Sequence, residues 1–361
     1  MNNKLYFTPG PSELYPTVAK HMQTAIEEKI GAISHRSKQF QEIYKFTTDQ
    51  LRTLMQVPAD YEIFYLASAT EIWERIIENC VEHTSFHCVN GSFSKRFYEF
   101  SGELGRKAYK EEAAFGEGFY PDKINVPADA EAVCLTHNET SSGVSMPVSD
   151  INKFREKNPN ALIFVDAVSS APYPSFDWTK IDSTFLSVQK CMGLPAGLGV
   201  WFLNKRVVEK GLELQKKGLK TGTYHTIASL LDKAKDNQTP ETCNVLFIYL
   251  LGKVAEDMNK KGAATIRKET DEKAKLVYDY ISNSKVFSPA VKDEALRSAT
   301  TIVANTSISS AEVNKKLEAY NMAVGAGYSK YKDTQIRIAN FPTHSVEQMK
   351  ALVEALKKEF N

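Results

Sequence analysis

Residues Thr184 to Leu203 read TFLSVQKCMGLPAGLGVWFL. Two short apolar runs, Thr184–Val188 and Leu198–Leu203, enclose a lysine and a loop containing Gly193, Pro195 and Gly197, with Gly199 just inside the second run. Near-continuous apolar runs of this length are expected of strands covered by helices on both faces. The glycine-rich loop turns sharply, so Lys190 stands at a strand end and projects into the cleft beyond it. A lone lysine is ordinarily a solvated surface residue. This one needs a partner before it implies chemistry.

The partner lies upstream, in VDAVSS (Val165–Ser170), where Asp166 ends the apolar run Ala161–Val165. Taken alone, Asp166 reads as a helix cap. Taken with Lys190, it reads as the second of two reactive groups at matching strand ends, where open α/β sheets place their ligands. An amine there can bond covalently to an aldehyde cofactor, and an ionised carboxylate can keep a pyridine nitrogen protonated.

Other strands follow outward: Tyr61–Leu66, Ser85–Val89 and Glu131–Thr136. Segments with helical apolar spacing, Glu71–Val81 and Asp150–Lys157, alternate with them, which predicts an α/β domain with a mainly parallel sheet. The turn Ala67-Ser68-Ala69-Thr70, between a strand and a helix start, makes a phosphate-sized cup. Thr140 follows the strand ending at Thr136 and suits a cofactor oxygen, although its plain reading is a turn residue. Phe93 follows the strand ending at Val89 and can stack on a ring, although its plain reading is core.

Pro16 to Met55 is helical in pattern with a break near Gly31. One long helix is expected from about Pro240 to Ser282, then strands near Ala299–Ala304 and Gln335–Ala339 and a closing helix, Ser345–Phe360. Length favours two domains. The expected division is a large α/β domain over 15–255 and a small α+β domain from 1–14 and 256–361.

Forty-five basic against 44 acidic residues leave a net charge of +1, so no polyanion or membrane surface is implied as partner. The first residues lack the apolar run of a secretion signal, and no apolar stretch is long enough to span a bilayer. Five cysteines without a CxxC pair read as reduced thiols in a cytoplasmic protein. Cys80, His83, His87 and Cys88 invite a zinc reading, since His83 and His87 are four apart. That segment, however, reads as a helix end entering a strand, where the geometry is lost, and no metal is expected.

The segments FTPGPSEL, ISHRSKQF, HNETSSGV, VDAVSS, SVQKCMGLPAGLGVWFL, TYHTI, NQTPETCN and RIANFP span the chain in order. In them the sequence resembles the class V aminotransferases, and within these the phosphoserine branch. The resemblance implies the aspartate-aminotransferase fold (fold type I), pyridoxal phosphate and a homodimer with shared active sites. It implies that Lys190 holds the cofactor and moves protons, Asp166 pairs with the ring nitrogen, and Phe93 stacks on the ring. Ser68, Ala69, Thr70 and Gln189 would surround the cofactor phosphate, with Thr140 and Ser169 at the ring edge. Gln238 and Thr239 would reach the phosphate of the neighbouring subunit. His35 and Arg36 would read the substrate's phosphate or side-chain carboxylate, and Arg337 its α-carboxylate.

The implied reaction moves the amino group of glutamate to 3-phosphohydroxypyruvate, giving phosphoserine and 2-oxoglutarate. Alanine– or serine–glyoxylate exchange, and a cysteine desulfurase-like lyase, are the alternatives. A non-enzymatic sensor on the same scaffold is disfavoured because lysine, aspartate and carboxylate clamp are all retained. The ASAT turn lacks the arginine many phosphoserine enzymes carry there, and GAGYSKYKDTQ lacks their GHR-type element.

Overall fold

The computed structural model describes residues 4–360; residues 1–3, within the expected segment 1–14, and residue 361 lie outside the described residues. In chain order the first strands are β1 (Leu5–Phe7), β2 (Glu62–Leu66), β3 (Thr84–Val89), β4 (Lys107–Glu112) and β5 (Ala132–Thr136). A short hairpin follows, β6 (Asn138–Glu139) and β7 (Val144–Ser145), then β8 (Leu162–Asp166), β9 (Ser183–Ser187) and β10 (Gly199–Leu203). The last four are β11 (Phe287–Pro289), β12 (Thr301–Thr306), β13 (Met322–Ala326) and β14 (Gln335–Ala339).

Seven strands form one sheet in the order β2-β10-β9-β8-β5-β3-β4. Only β10 runs against its neighbours; the remaining pairs are parallel. Apart from the charged edge strand β4, the strands are largely apolar because both faces are covered. Ile63, Tyr65, Ile163, Val165, Val200 and Phe202 enter one core, with Phe40, Tyr44 and Ile248. Their alternates Phe64, Leu66, Phe164, Trp201 and Leu203 enter the other, with Ile72, Trp73 and Ile76. This is the expected α/β architecture of fold type I.

The helix expected over Pro240–Ser282 is two helices, Val245–Lys261 and Ala263–Asn283. Gly262 separates them at φ 89, a left-handed conformation that ends a helix and that glycine adopts without steric cost. The first of the two starts only at Val245, where the Asn244 side chain accepts a bond from the Phe247 amide. Buried residues as far as Ile266 belong to the core around the large sheet, and those from Ala274 onward to a second core.

That second core lies on a five-stranded sheet ordered β1-β13-β14-β12-β11. Phe7, Ile302, Val324, Ile336 and Ile338 pack there against Val277, Ile281, Leu352 and Leu356 of the helices Ala263–Asn283 and Val346–Phe360. The N-terminal strand β1 thus belongs to the C-terminal sheet, paired in parallel with β13. Among the described residues no helix is long and apolar enough to cross a membrane.

Trp201 anchors the large sheet: it is fully buried and its indole N–H donates to Ser183 Oγ at 2.8 Å. Trp201→Ala leaves a cavity and an unpaired hydroxyl, and is expected to cost about 3–5 kcal/mol in urea unfolding. A loss below about 1 kcal/mol would contradict this packing.

Candidate active site

Because β2 and β10 are antiparallel, and β10 and β9 are too, β2 points the same way as β9, β8, β5 and β3. The carboxyl ends of five strands therefore meet on one edge of the sheet. The chain leaving each end supplies part of one cavity of about 490 Å³. Ser68, Ala69 and Thr70 follow β2, Phe93 follows β3, and Thr140 follows β5 and β6. Asp166 closes β8, and Gln189 and Lys190 follow β9.

Local chemistry fixes each of these. Ser68 caps the helix Ala69–Cys80 by accepting from the Glu71 amide at 3.1 Å, so the first free amides of that helix open onto the cavity. At Gly199, the first residue of β10, a Cβ would lie 2.5 Å from the Ser68 carbonyl carbon, so glycine lets the cup sit directly on the sheet. Ser187 Oγ donates to Gln189 Oε1 at 2.7 Å and holds that side chain at the cavity wall.

The Lys190 ammonium donates to Thr140 Oγ1 at 3.2 Å and lies 5.2 Å from the centre of the Phe93 ring. Burial, reinforced by the Arg337 cation, lowers its pKa to about 8. Asp166 is also buried; its Oδ2 accepts from the Trp73 indole N–H at 3.0 Å and its Oδ1 from the Val168 amide at 2.9 Å. Burial outweighs both bonds and pushes its pKa up to about 7.

Glu139, fully buried, does structural work beside them. It accepts from the Phe93 and Ser94 amides, the Ser94 hydroxyl, and the Ser141 amide and hydroxyl. Gly91, the cap position of helix Ser92–Glu103, has no side chain of its own, so Glu139 supplies the anion that the helix start favours. Phe93 is held over the amine by this contact.

The remaining candidates lie outside the lining. Ser169 is behind the wall, with its hydroxyl accepting from the Asn138 amide nitrogen at 2.7 Å. Arg337, on β14, donates from Nε to the Ala326 carbonyl at 2.8 Å and from Nη1 to the Thr140 carbonyl at 3.3 Å. Arg36 is gathered with Gln238 and Thr239 instead. Its guanidinium donates to Gln238 Oε1 and to the carbonyls of Thr239 and Pro240 at 2.7–2.9 Å. His35 adjoins it in the turn before helix Lys38–Met55. None of these six lines the cavity of its own chain.

The suspected zinc cluster is dispersed. His83 is exposed, and His87 lies buried in β3 with Nε2 2.9 Å from Ser85 Oγ. Cys80 and Cys88 are buried in different cores.

Comparison with known proteins sets this cavity in a family. The model of class V aminotransferases matches residues 120–339. The chain belongs to the class V aminotransferases. A crystal structure of a phosphoserine aminotransferase from Cytophaga hutchinsonii is 69% identical, with full coverage of both chains and a TM-score of 0.99. The phosphoserine aminotransferase of Rhodococcus opacus is 26% identical over 97% of this chain and 93% of its own length. An aspartate aminotransferase from Thermus thermophilus, 20% identical with TM-score 0.85 and 98% coverage of both chains, shares the fold.

As a class V aminotransferase, the protein is a pyridoxal-phosphate-dependent transaminase. The cavity fits that cofactor by its donor set. It holds an amine for the aldehyde, a buried carboxylate for the ring nitrogen, an aromatic face, and a helix N-terminus for the phosphate. Asn138 Oδ1, on a lining residue, is buried without a partner, as expected of a group kept for a ligand.

Four contributors escaped the sequence reading: Trp73, Glu139, Tyr328 and Gly10. Tyr328 lies 5.2 Å below the Arg337 guanidinium and 5.3 Å from the Phe93 ring. Gly10, at φ 115, lies against Lys190: a Cβ there would be 2.6 Å from Lys190 Cε. The signal available for Gly10 was its place between two prolines in FTPGPSEL.

Two measurements on cofactor-free protein test this geometry. Only the neutral amine attacks an aldehyde, so reductive trapping of pyridoxal phosphate on Lys190 should rise with pH and level off above about 8. A rate still climbing through about pH 10, where an ordinary lysine titrates, would contradict the buried amine. Gly10→Ala should displace the lysine stem and slow trapping by about tenfold or more. Parental rates would contradict the close approach.

Proposed function

We propose that the chain transfers the amino group of glutamate to 3-phosphohydroxypyruvate, forming phosphoserine and 2-oxoglutarate in serine biosynthesis. The observation that carries this reading is the full-length likeness to the Cytophaga hutchinsonii phosphoserine aminotransferase. A cytoplasmic setting accords with five unpaired cysteines.

The roles follow from chemistry. The bound cofactor supplies an electron sink for negative charge at the substrate α-carbon. Lys190 Nζ takes the α-proton and returns one, a task suited to an amine with pKa about 8. Asp166, ionised, holds a proton on the ring nitrogen, and Phe93 covers the ring. Thr140 keeps the amine aimed, with Ser169 behind the ring edge. Ser68, Ala69, Thr70 and Gln189 receive the cofactor phosphate. Arg337, already turned toward Thr140, grips the α-carboxylate through its planar fork.

Among the described residues lining the cavity, Lys190 is the one cation. A doubly charged phosphate and an anionic substrate call for more. This supports a homodimer in which Gln238 and Thr239 of one subunit meet the cofactor phosphate of the other. His35 and Arg36 travel with that segment and would receive the substrate phosphate, then the glutamate side-chain carboxylate. Arg36 uses three of its five N–H groups on residues 238–240, leaving two for an anion.

The visible band of the purified protein should bleach with glutamate and return with 3-phosphohydroxypyruvate. Lys190→Ala should lose the band and nearly all turnover. Arg36→Ala should raise KM for phosphoserine by about tenfold or more and affect alanine or serine far less. Equal losses with both donors would favour exchange of unphosphorylated amino acids.

A further inference from the structure

Trp73 is a cavity-lining aromatic whose polar edge has a specific target. Its Nε1 donates to Asp166 Oδ2 at 3.0 Å, while the Val168 amide holds Oδ1 at 2.9 Å. Each oxygen is thus held by its own donor, one from helix Ala69–Cys80 and one from the turn after β8, and turning the carboxylate about its own axis would break both bonds. The indole is itself immobilised. It stacks on Phe97 at 5.7 Å and 14° and meets the edge of Phe100 at 5.9 Å. Both partners stand on the helix Ser92–Glu103 that Glu139 caps.

Trp73 also shares a helix turn with the phosphate cup. Ala69 and Thr70 lie four and three residues before it, on the same face of helix Ala69–Cys80. One rigid turn therefore carries the amides that open toward a phosphate and the donor that fixes the carboxylate.

We propose that Trp73 is a positioning residue of the cofactor site, whose indole N–H holds Asp166 in the orientation facing the ring nitrogen and favours its carboxylate over the neutral acid. A phenylalanine would keep an aromatic ring against Phe97 and Phe100 while removing the donor, so it tests the N–H with most of the packing retained. The charges facing Asp166 are Lys190, which favours its ionised form, and Glu139, which opposes it. Arg337 faces Lys190 in turn. With burial and Glu139 both favouring the neutral acid, the Trp73 and Val168 bonds and the Lys190 charge act against them. The proposal rests on Asp166 serving the ring, and the experiment separates the two.

In cofactor-free protein carrying ¹³C-carboxyl aspartate, the Asp166 signal, assigned by its loss in Asp166→Asn, should titrate near pH 7. In Trp73→Phe the midpoint should rise by about one unit or more, the effect of removing a hydrogen bond to a charged group. Loss of the cofactor from Trp73→Phe should also speed up severalfold, with the melting temperature within a few degrees of the parent. In the unmutated protein, the indole ¹⁵N–¹H signal of Trp73 should move with the same midpoint while those of Trp178 and Trp201 stay still. This last reading needs no variant to fold. An unmoved Trp73 signal, or an unchanged Asp166 midpoint in Trp73→Phe, would overturn the proposal and leave Trp73 a packing residue. Unaltered cofactor affinity in Asp166→Asn would instead overturn the assignment of Asp166 itself.

Discussion

The structure depends on holding an amine and a carboxylate out of water within one cavity. Lys190 and Asp166 are each more than nine-tenths buried, and burial drives each toward its neutral form while their mutual attraction opposes it. Such a pair is costly in isolation and persists only where surrounding groups hold both members in place. The parallel sheet provides that hold. It delivers five chain segments to one edge, and each arrives with its direction already set by strand pairing. The single antiparallel strand, β10, brings Gly199 beneath the phosphate cup and so joins the turn after β2 to the loop that carries Lys190.

The central sheet was legible because strands buried on both faces leave an apolar record in the sequence. β2, β3, β5, β8, β9 and β10 all lie within one or two residues of their expected limits. β4 left no such record: KAYKEE is an edge strand, half-exposed or exposed along its length, and its charges guard an open edge instead of filling a core. The break at Gly262 was obscured by apolar spacing that continues through both helices, even though Lys260 and Lys261 before a glycine are a typical helix ending. Lys190 and Asp166 could be found because each sits at a strand end. Trp73 and Glu139 could not, because their meaning is carried by partners distant in sequence: Asp166 for the first, Phe93 and Ser94 for the second. Nor does a sequence reveal that Arg36 is bound to residues 238–240, two hundred positions away.

Two buried carboxylates near the cavity illustrate how hydrogen bonding divides labour. Glu139 accepts from five donors, which saturates the roughly four lone-pair directions of a carboxylate. It has nothing left to offer a ligand and serves as the cap of a helix. Asp166 accepts from two donors, leaving about half its acceptor capacity directed elsewhere. A buried acceptor with unused capacity beside a cavity is a binding group, and a saturated one is a brace.

The brace also bears on how the two sheets work together. Glu139 ends β6, and Thr140 and Gly143 lie in the turn that leads from it to β7. Through Glu139 this turn fixes Phe93, through Thr140 it meets both the Lys190 amine and the Arg337 guanidinium, and at Gly143 a Cβ would lie 2.7 Å from Val303 of β12. The Ser298 amide, just ahead of β12, bonds the Gly143 carbonyl at 2.9 Å. This turn is one of several places where the two cores meet: Thr300 Oγ1 donates to the Ser169 carbonyl at 2.8 Å, and Cys191, next to Lys190, packs with Ala339 and Phe341. Because Arg337 stands on β14 of the second sheet, its place relative to the Lys190 amine depends on these contacts, which ties the geometry of the cavity to the docking of the two cores.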